Sequence, residues 1–107
     1  MRTRVEILCE ALDALIVGEL RGGDDFNLSR GSLSRRADYA SGVRWRLHKR
    51  HPPLSELARL VQEACKVGHR TGGWAKRQVV AAEKELARVS ALMDGRVAAA
   101  PGAAEGT

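Results

Sequence analysis

Apolar residues recur every three or four positions along most of the chain, and this spacing constrains the fold more than any other feature. It places apolar side chains on one face of an α-helix, whereas a half-buried strand alternates at every second position. With 107 residues the chain has the length of one domain, and 44% of its residues are hydrophobic. We therefore predict an all-α fold. The predicted domain is compact and has three to four helices over residues 1–95, with long first and last helices as antiparallel neighbours.

The first helix has recognisable start and stop signals. Its apolar series runs through residues 5–20. Thr3 precedes this series and Glu6 follows three residues later, which is the spacing of a capping box. Two glycines at positions 22–23 are predicted to end the helix, because glycine accepts the left-handed backbone conformation at a helix end.

Residues 33–50 fit two kinds of secondary structure. A helical series of apolar residues comprises Leu33, Ala37, Ala40, Val43 and Leu47. Residues 43–48, however, alternate strictly between apolar and polar, which is the period of a strand, and Gly42 could separate the two halves. Because a single short strand has nothing to pair with in this chain, we predict a helix capped by Ser32 or Ser34.

The last two helices are predicted from a proline pair and from a seam of apolar residues. Pro52 suits the first turn of a helix that would end at Gly68. Spacings of four and three then alternate in a seam made of Ala75, Val79, Ala82, Leu86, Val89 and Met93. The seam is predicted to pack within the chain, and a homodimer through residues 75–93 is the alternative. Gly95 should end this helix, and residues 96–107, which have no periodicity, are predicted to be a disordered Ala/Gly tail.

Charge is unevenly distributed along the chain. The formal net charge is +5, but residues 1–25 carry −3 whereas residues 26–55 carry +6. Arginine outnumbers lysine by fourteen to four, a bias that is typical of a GC-rich coding sequence. The charge therefore indicates where a partner touches the protein, and it does not by itself identify the partner as nucleic acid.

Positive charge and tryptophan together mark the candidate partner-binding residues. Such side chains neutralise phosphates or acidic groups, and an exposed tryptophan stacks on a base or fills a pocket in a protein. The predicted set is Arg35, Arg36, Arg44, Trp45, Arg46, Lys49, Arg50, Trp74, Lys76 and Arg77. A helix-turn-helix over residues 54–94 would present Lys76 and Arg77 to DNA, but a helical hairpin is the simpler interpretation.

The cysteines and histidines form no recognisable catalytic or metal-binding motif. Cys9 and Cys65 lie on apolar faces, which predicts buried free thiols in a reducing compartment, with a disulfide as the lesser alternative. His48, His51, Cys65 and His69 would supply four zinc ligands, but their spacing is not that of a known finger. We therefore expect no metal, no cofactor and no catalysis.

These features predict a small non-catalytic cytoplasmic interaction protein that binds and modulates or inhibits a larger protein partner. The chain has no apolar run long enough to cross a membrane and no signal-peptide core at its start. Compact, charge-polarised helical chains are typical of stoichiometric inhibitors. Small accessory proteins of phages and mobile elements, including those that act on a host enzyme or defence complex, have the same general character. The alternative is a DNA- or RNA-binding regulator that uses the basic segment 30–50.

Overall fold

The computed structural model describes residues 3–20, 27–68 and 72–98, with side chains described as far as Asp94. The predicted all-α fold is confirmed, because the described residues form helices and turns and contain no strand. The helices are α1 (Arg4–Ile16), α2 (Leu33–Leu47), α3 (Pro52–Val67) and α4 (Gly73–Ala98). None of these helices combines the length and apolarity that a membrane crossing requires.

The predicted capping box at the start of α1 is confirmed. The Glu6 amide donates to the Thr3 hydroxyl oxygen at 3.1 Å, and the Thr3 amide donates to a Glu6 carboxylate oxygen at 3.0 Å. These two bonds satisfy amide groups that have no partner inside the helix, and such a cap is worth about 1 kcal/mol.

The end of α1 differs from the prediction, because the helix stops at Ile16 and not at the glycines 22–23. Gly18 would weaken a longer helix by about 1 kcal/mol relative to alanine, but a glycine of this kind does not by itself end a helix. The chain leaves the helix in a turn in which the Leu20 amide donates to the Ile16 carbonyl at 2.8 Å. This turn buries Leu20 although it lies outside the helix.

Residues 43–48 are helical up to Leu47, as predicted, and Gly42 lies inside α2 without interrupting it. Ser32 is the cap, because its hydroxyl accepts a hydrogen bond from the Arg35 amide at 3.2 Å. The apolar face of α2 is fully or almost fully buried and comprises Ala37, Ala40, Val43 and Leu47.

Helix α3 is the centre of the fold, because it packs against each of the other three helices. Its start is fixed by His51, whose Nδ1 accepts a hydrogen bond from the Leu54 amide at 3.2 Å, and by prolines in the first turn. It ends at Gly68, as predicted. Its buried face supplies much of the core through Leu54, Leu57, Ala58, Val61, Ala64 and Cys65.

The predicted antiparallel pairing of long first and last helices is not confirmed. Helix α1 has 13 residues and is the shortest of the four, whereas α4 has 26. The first turns of α1 and α4 line one groove together with the end of α3, so both helices begin at the same end of the molecule. Val5 and Leu33 also close around Gly68 at this end.

The apolar seam of α4 packs inside the chain, as predicted. Ala75, Val79, Ala82 and Val89 are buried, and the partly buried Leu86 and Met93 pack against the same core. The predicted stop at Gly95 is wrong, because α4 continues to Ala98. One glycine costs about 1 kcal/mol in a helix interior, which is not enough to end a helix whose other residues continue the hydrogen-bonding pattern. The rest of the predicted tail, 99–107, lies outside the described residues.

Candidate binding surface

Trp45 is a large aromatic side chain that points away from the core. It lies in the last turn of α2 and 59% of its surface is exposed. Its neighbours Val43 and Leu47 are fully buried, and in a helix a residue two positions from a buried one faces the other side. The helical register of α2 therefore forces the indole into solvent.

Two side chains hold the Trp45 ring in place. The Arg44 guanidinium carbon lies 4.6 Å from the ring centroid, and such a cation–π contact at an exposed site is worth about 0.5–1 kcal/mol. The His48 ring meets the indole edge-on, with centroids 5.6 Å apart at 74°. His48 is itself fixed by a 3.1 Å contact between its Nδ1 and the Trp45 carbonyl oxygen. The indole is thus exposed but preorganised.

A groove of about 380 Å³ runs beside Trp45, between the last turn of α2 and the first two turns of α3. Ser55 joins its two walls, because its hydroxyl donates to the Arg44 carbonyl at 2.8 Å. We call this the Trp45 groove, and its lining residues are Arg44, Trp45, His48, Pro52, Ser55, Glu56 and Arg59.

The charge around the Trp45 groove is mainly positive. Arg59 forms an ion pair with Glu56 across one turn of α3, and this pairing raises the pKa of Arg59 above its ordinary value. Arg44 is held by the indole, and the exposed Lys49 follows at the end of α2. The surface therefore combines one large apolar ring with several cations.

The α3 side of the groove was not predicted from the sequence. Pro52, Ser55, Glu56 and Arg59 recur at spacings of three and four, so they share a face of α3, on which Ser55 is buried against α2 and the other three are at least partly exposed. That spacing identifies a shared helix face in the sequence. It does not show that the end of α2 lies beside this face and forms a groove with it.

Arg36 is a correction to the predicted set, because only 7% of its surface is exposed. Its Nε donates to the Gly31 carbonyl at 3.0 Å, and its Nη2 lies 3.8 Å from a Glu6 carboxylate oxygen. Arg36 immediately precedes the buried Ala37 in α2, so its long side chain folds under α1 and not out to a partner.

Arg50 also has a structural role in this fold. Its Nη2 donates to the Glu19 carbonyl oxygen at 3.1 Å, which ties the turn after α2 to the turn after α1. The bond satisfies a carbonyl in the turn that follows α1. Arg50 is nevertheless exposed to solvent, and it does not line the Trp45 groove.

The remaining predicted residues fall on other parts of the surface. Trp74 is 49% exposed at the start of α4, beside the exposed Lys76 and Arg77, at the opposite end of α3 from Trp45. The 16 residues of α3 span about 24 Å, so the two tryptophans cannot line one small groove. Exposed Arg35, in the first turn of α2, lies roughly 15 Å along that helix from Trp45.

The described residues contain no group of three or more His, Cys, Asp and Glu side chains that could hold a metal ion. His48 and His51 each use Nδ1 in a local contact, to the Trp45 carbonyl and from the Leu54 amide. His69, the fourth ligand of the zinc alternative, lies outside the described residues.

No protein-family model matches the chain, and no curated protein sequence or solved structure is significantly similar to it. The function is therefore inferred from the geometry and charge of the molecule's own surface. Among the predicted residues, Arg44 and Trp45 are the two that line a groove with cations around an exposed aromatic ring.

Proposed function

We propose that this protein is a small non-catalytic interaction protein that binds and modulates or inhibits a larger protein partner through the Trp45 groove. The observation that carries this proposal is the exposed indole of Trp45, held by Arg44 and His48 at the mouth of a groove. Tryptophan and arginine dominate the energetics of protein interfaces when a partner buries them. Leaving a preorganised tryptophan in solvent has no packing advantage for the isolated chain.

The chemistry of the groove favours a particular kind of partner segment. An apolar side chain of the partner would pack on the indole, and acidic side chains beside it would meet Arg44 and Lys49, since Arg59 is already paired with Glu56. Because the indole is already oriented, little side-chain entropy is lost when the partner binds. The partner surface is therefore an acidic one with a central apolar anchor.

The biological setting that we propose follows the same class of protein. Stoichiometric inhibitors of this size occur among the accessory proteins of phages and mobile elements, which act on host enzymes or defence complexes. A cytoplasmic location agrees with two cysteines that are free thiols in the core. Among the described residues no helix has the length and apolarity needed to span a membrane.

Nucleic-acid binding is the second candidate, and the cations beside Trp45 are the observation that favours it. Arg44 and Arg59 line the groove, and Arg46 and Lys49 lie on the same end of α2. A base could stack on the indole while these cations neutralise the adjacent phosphates. Such binding would weaken by orders of magnitude between about 50 and 200 mM salt if six or more phosphates were contacted.

Affinity capture from a lysate of the source cells tests the main proposal when it is run with matched variants. Immobilised wild-type chain should retain a stoichiometric protein partner, and Trp45→Ala should lose it. Trp74→Ala is the control, because Trp74 is similarly exposed at the opposite end of the molecule. Equal recovery of the partner by wild type and Trp45→Ala, or no stoichiometric partner at all, would contradict the proposal.

A gel-shift titration distinguishes the second candidate from the first. The purified chain is titrated against random duplex DNA and against single-stranded DNA and RNA at about 50 and 200 mM salt. The protein-interaction proposal predicts no shift at either salt concentration. A shift at low salt that disappears at high salt and requires Trp45 would favour the nucleic-acid alternative.

A further inference from the structure

Two buried cysteines from different helices meet in the core. Cys9 on α1 is fully buried, Cys65 on α3 is 2% exposed, and their sulfur atoms lie 3.3 Å apart. The two residues are separated by 56 positions in the sequence, so the fold alone brings them together. Both are free thiols. A bonded pair would have its sulfur atoms about 2.05 Å apart, so a shift of little more than 1 Å separates the present state from a disulfide.

A buried cation lies beside this pair. Arg36 is more than nine-tenths buried, and its Nη1 has no hydrogen-bond partner among the described residues. Its Nη2 lies 3.8 Å from a Glu6 carboxylate oxygen, and its Nε donates to the Gly31 carbonyl. A buried guanidinium of this kind is costly unless an anion is near it. Arg36 also favours the ionised form of Cys9, because its positive charge lowers the pKa of that thiol.

The two thiols differ in how readily they ionise. A hydrogen bond from the Cys65 thiol and the positive charge of Arg36 lower the pKa of Cys9, against the opposing effects of burial and of Glu6. The pKa of Cys65 is raised, first because its thiol donates a hydrogen bond to the Cys9 sulfur and second because it is buried. The thiolate is the nucleophilic form of cysteine, so Cys9 is the more reactive partner.

One groove reaches the cysteine pair, from the side of Cys65. Cys65 lines this groove, which has about 350 Å³ and lies between the start of α2 and the end of α3. A second groove, of about 280 Å³, reaches Arg36 and Glu6 but neither cysteine. Because Cys9 is fully buried and lines neither groove, the oxidant has to be small, and hydrogen peroxide is scarcely larger than water.

We propose that Cys9 and Cys65, with Arg36 beside them, form a redox site at which a hydroperoxide oxidises both thiols to a disulfide within the folded chain. The site lies toward the opposite end of α3 from the Trp45 groove and does not depend on it.

The reaction balances with hydrogen peroxide as the oxidant. The Cys9 thiolate attacks one peroxide oxygen, the O–O bond breaks, and a sulfenic acid forms. The hydroxide that leaves takes the proton that Cys9 gave up and becomes water. The Cys65 sulfur then attacks the sulfenic sulfur, and the hydroxyl group leaves with the Cys65 proton as a second water. Two electrons pass from the thiols to the peroxide, and one S–S bond is formed.

The test is to treat the intact folded chain with hydrogen peroxide and to map its peptides without reduction by mass spectrometry. We expect a Cys9–Cys65 disulfide in a monomeric protein. We also expect a melting temperature higher by roughly 10 °C or more, because the bridge closes a long loop. Intermolecular disulfides, overoxidised cysteines, or unreacted thiols that react only after unfolding in urea would overturn the proposal.

Single variants test the order of the two steps and the role of the cation. In Cys65→Ala the sulfenic acid should accumulate on Cys9, where dimedone traps it. In Cys9→Ala the remaining thiol of Cys65 should stay unmodified. Arg36→Met should slow disulfide formation at pH 7, because loss of the cation raises the pKa of Cys9 and lowers its thiolate fraction. Arg35→Met, a neighbouring exposed charge, is the matched control. Preferential trapping at Cys65, or an unchanged rate in Arg36→Met, would overturn these assignments.

Discussion

At the scale of single residues, the exposure of Trp45 depends on the secondary structure of the segment around it. In a strand, Val43, Trp45 and Leu47 would share one face, and the indole would be buried with the other two. In the helix that forms, Val43 and Leu47 enter the core while Trp45 points to solvent. The choice between helix and strand therefore decides whether the indole lies on the surface at which we propose that a partner binds.

Arg36 shows that a basic residue in the sequence is not necessarily exposed in the folded protein. Its position beside Ala37 places its stem over the core, and a sequence shows the charge but not the neighbouring helix that covers it. The helical periodicity of α2 could have indicated that position 36 lies beside the buried face of the helix. What it could not supply is the position of α1, which brings Glu6 within 3.8 Å of the guanidinium.

We predict that Arg36→Met leaves the folded state equally stable or more stable, by up to about 2 kcal/mol, because a buried cation without a full set of partners is replaced by an apolar chain of similar length. Glu6 tolerates the loss, since about a third of its side chain is exposed. Urea unfolding measures the difference, with Arg35→Met as the exposed control. A loss of more than about 2 kcal/mol in Arg36→Met would show that the pairing with Glu6 stabilises the fold.

Gly68 is the second residue with an identifiable packing role. A Cβ atom added there would lie 2.9 Å from Leu33 Cδ1 and 3.2 Å from both Val5 Cγ2 and the Ala64 carbonyl oxygen. We predict that Gly68→Ala destabilises the fold by about 1–3 kcal/mol, because the Leu33 and Val5 side chains must repack around the added methyl group. Gly18→Ala is the control, since nothing lies within 4 Å of its added Cβ, and it should be neutral or slightly stabilising. Thermal denaturation of both variants decides, and equal stability would contradict the packing described at the end of α3.

At the scale of elements, the starts of helices were predicted better than their ends. Thr3 and Ser32 cap α1 and α2 through side-chain hydrogen bonds within three residues, so a short stretch of sequence carries the whole signal. The end of α1 depends instead on where the following turn finds buried space for Leu20. That information lies in the tertiary structure, and the sequence pattern alone continued the helix to the glycines.

The capping box makes the stability of the folded chain depend on pH in a predictable direction. Hydrogen bonds from Thr3, together with the charge of Arg36, lower the pKa of Glu6 in the folded state. The stabilisation is therefore present above the ordinary carboxyl pKa and is lost as the pH falls through the lowered value. We predict that Glu6→Gln lowers the melting temperature at pH 7 and that this difference disappears near pH 3, as circular dichroism would show. A difference that is the same at both pH values would mean that the charge of Glu6 has no role in the cap.

The seam of α4 makes a prediction that separates its buried and exposed faces. Val89 is fully buried against the core, whereas Val80 on the same helix is 36% exposed. We predict that Val89→Ala costs about 2 kcal/mol and that Val80→Ala costs less than about 0.5 kcal/mol. Urea unfolding of the two variants measures this directly. Equal costs would contradict the packing of the seam within one chain and would favour its use in a homodimer.

At the scale of the whole molecule, α3 divides the protein into two ends with different chemistry. One end holds the Trp45 groove, formed by the end of α2 and the start of α3. The other end gathers the first turns of α1, α2 and α4 around the end of α3. The sequence showed the charges and the helices. The Trp45 groove and the Cys9–Cys65 pair, however, are each formed by residues from different helices, so neither could be predicted from residue spacing alone.

The central claim is that the Trp45 groove is the surface on which a protein partner binds. The most direct test is a calorimetric titration of the captured partner with wild type, Trp45→Ala and Trp74→Ala. We predict that Trp45→Ala weakens the affinity by about thirtyfold or more, as expected for a central interface tryptophan, and that Trp74→Ala changes it less than about threefold. An unchanged affinity in Trp45→Ala, or a loss in Trp74→Ala alone, would contradict the claim.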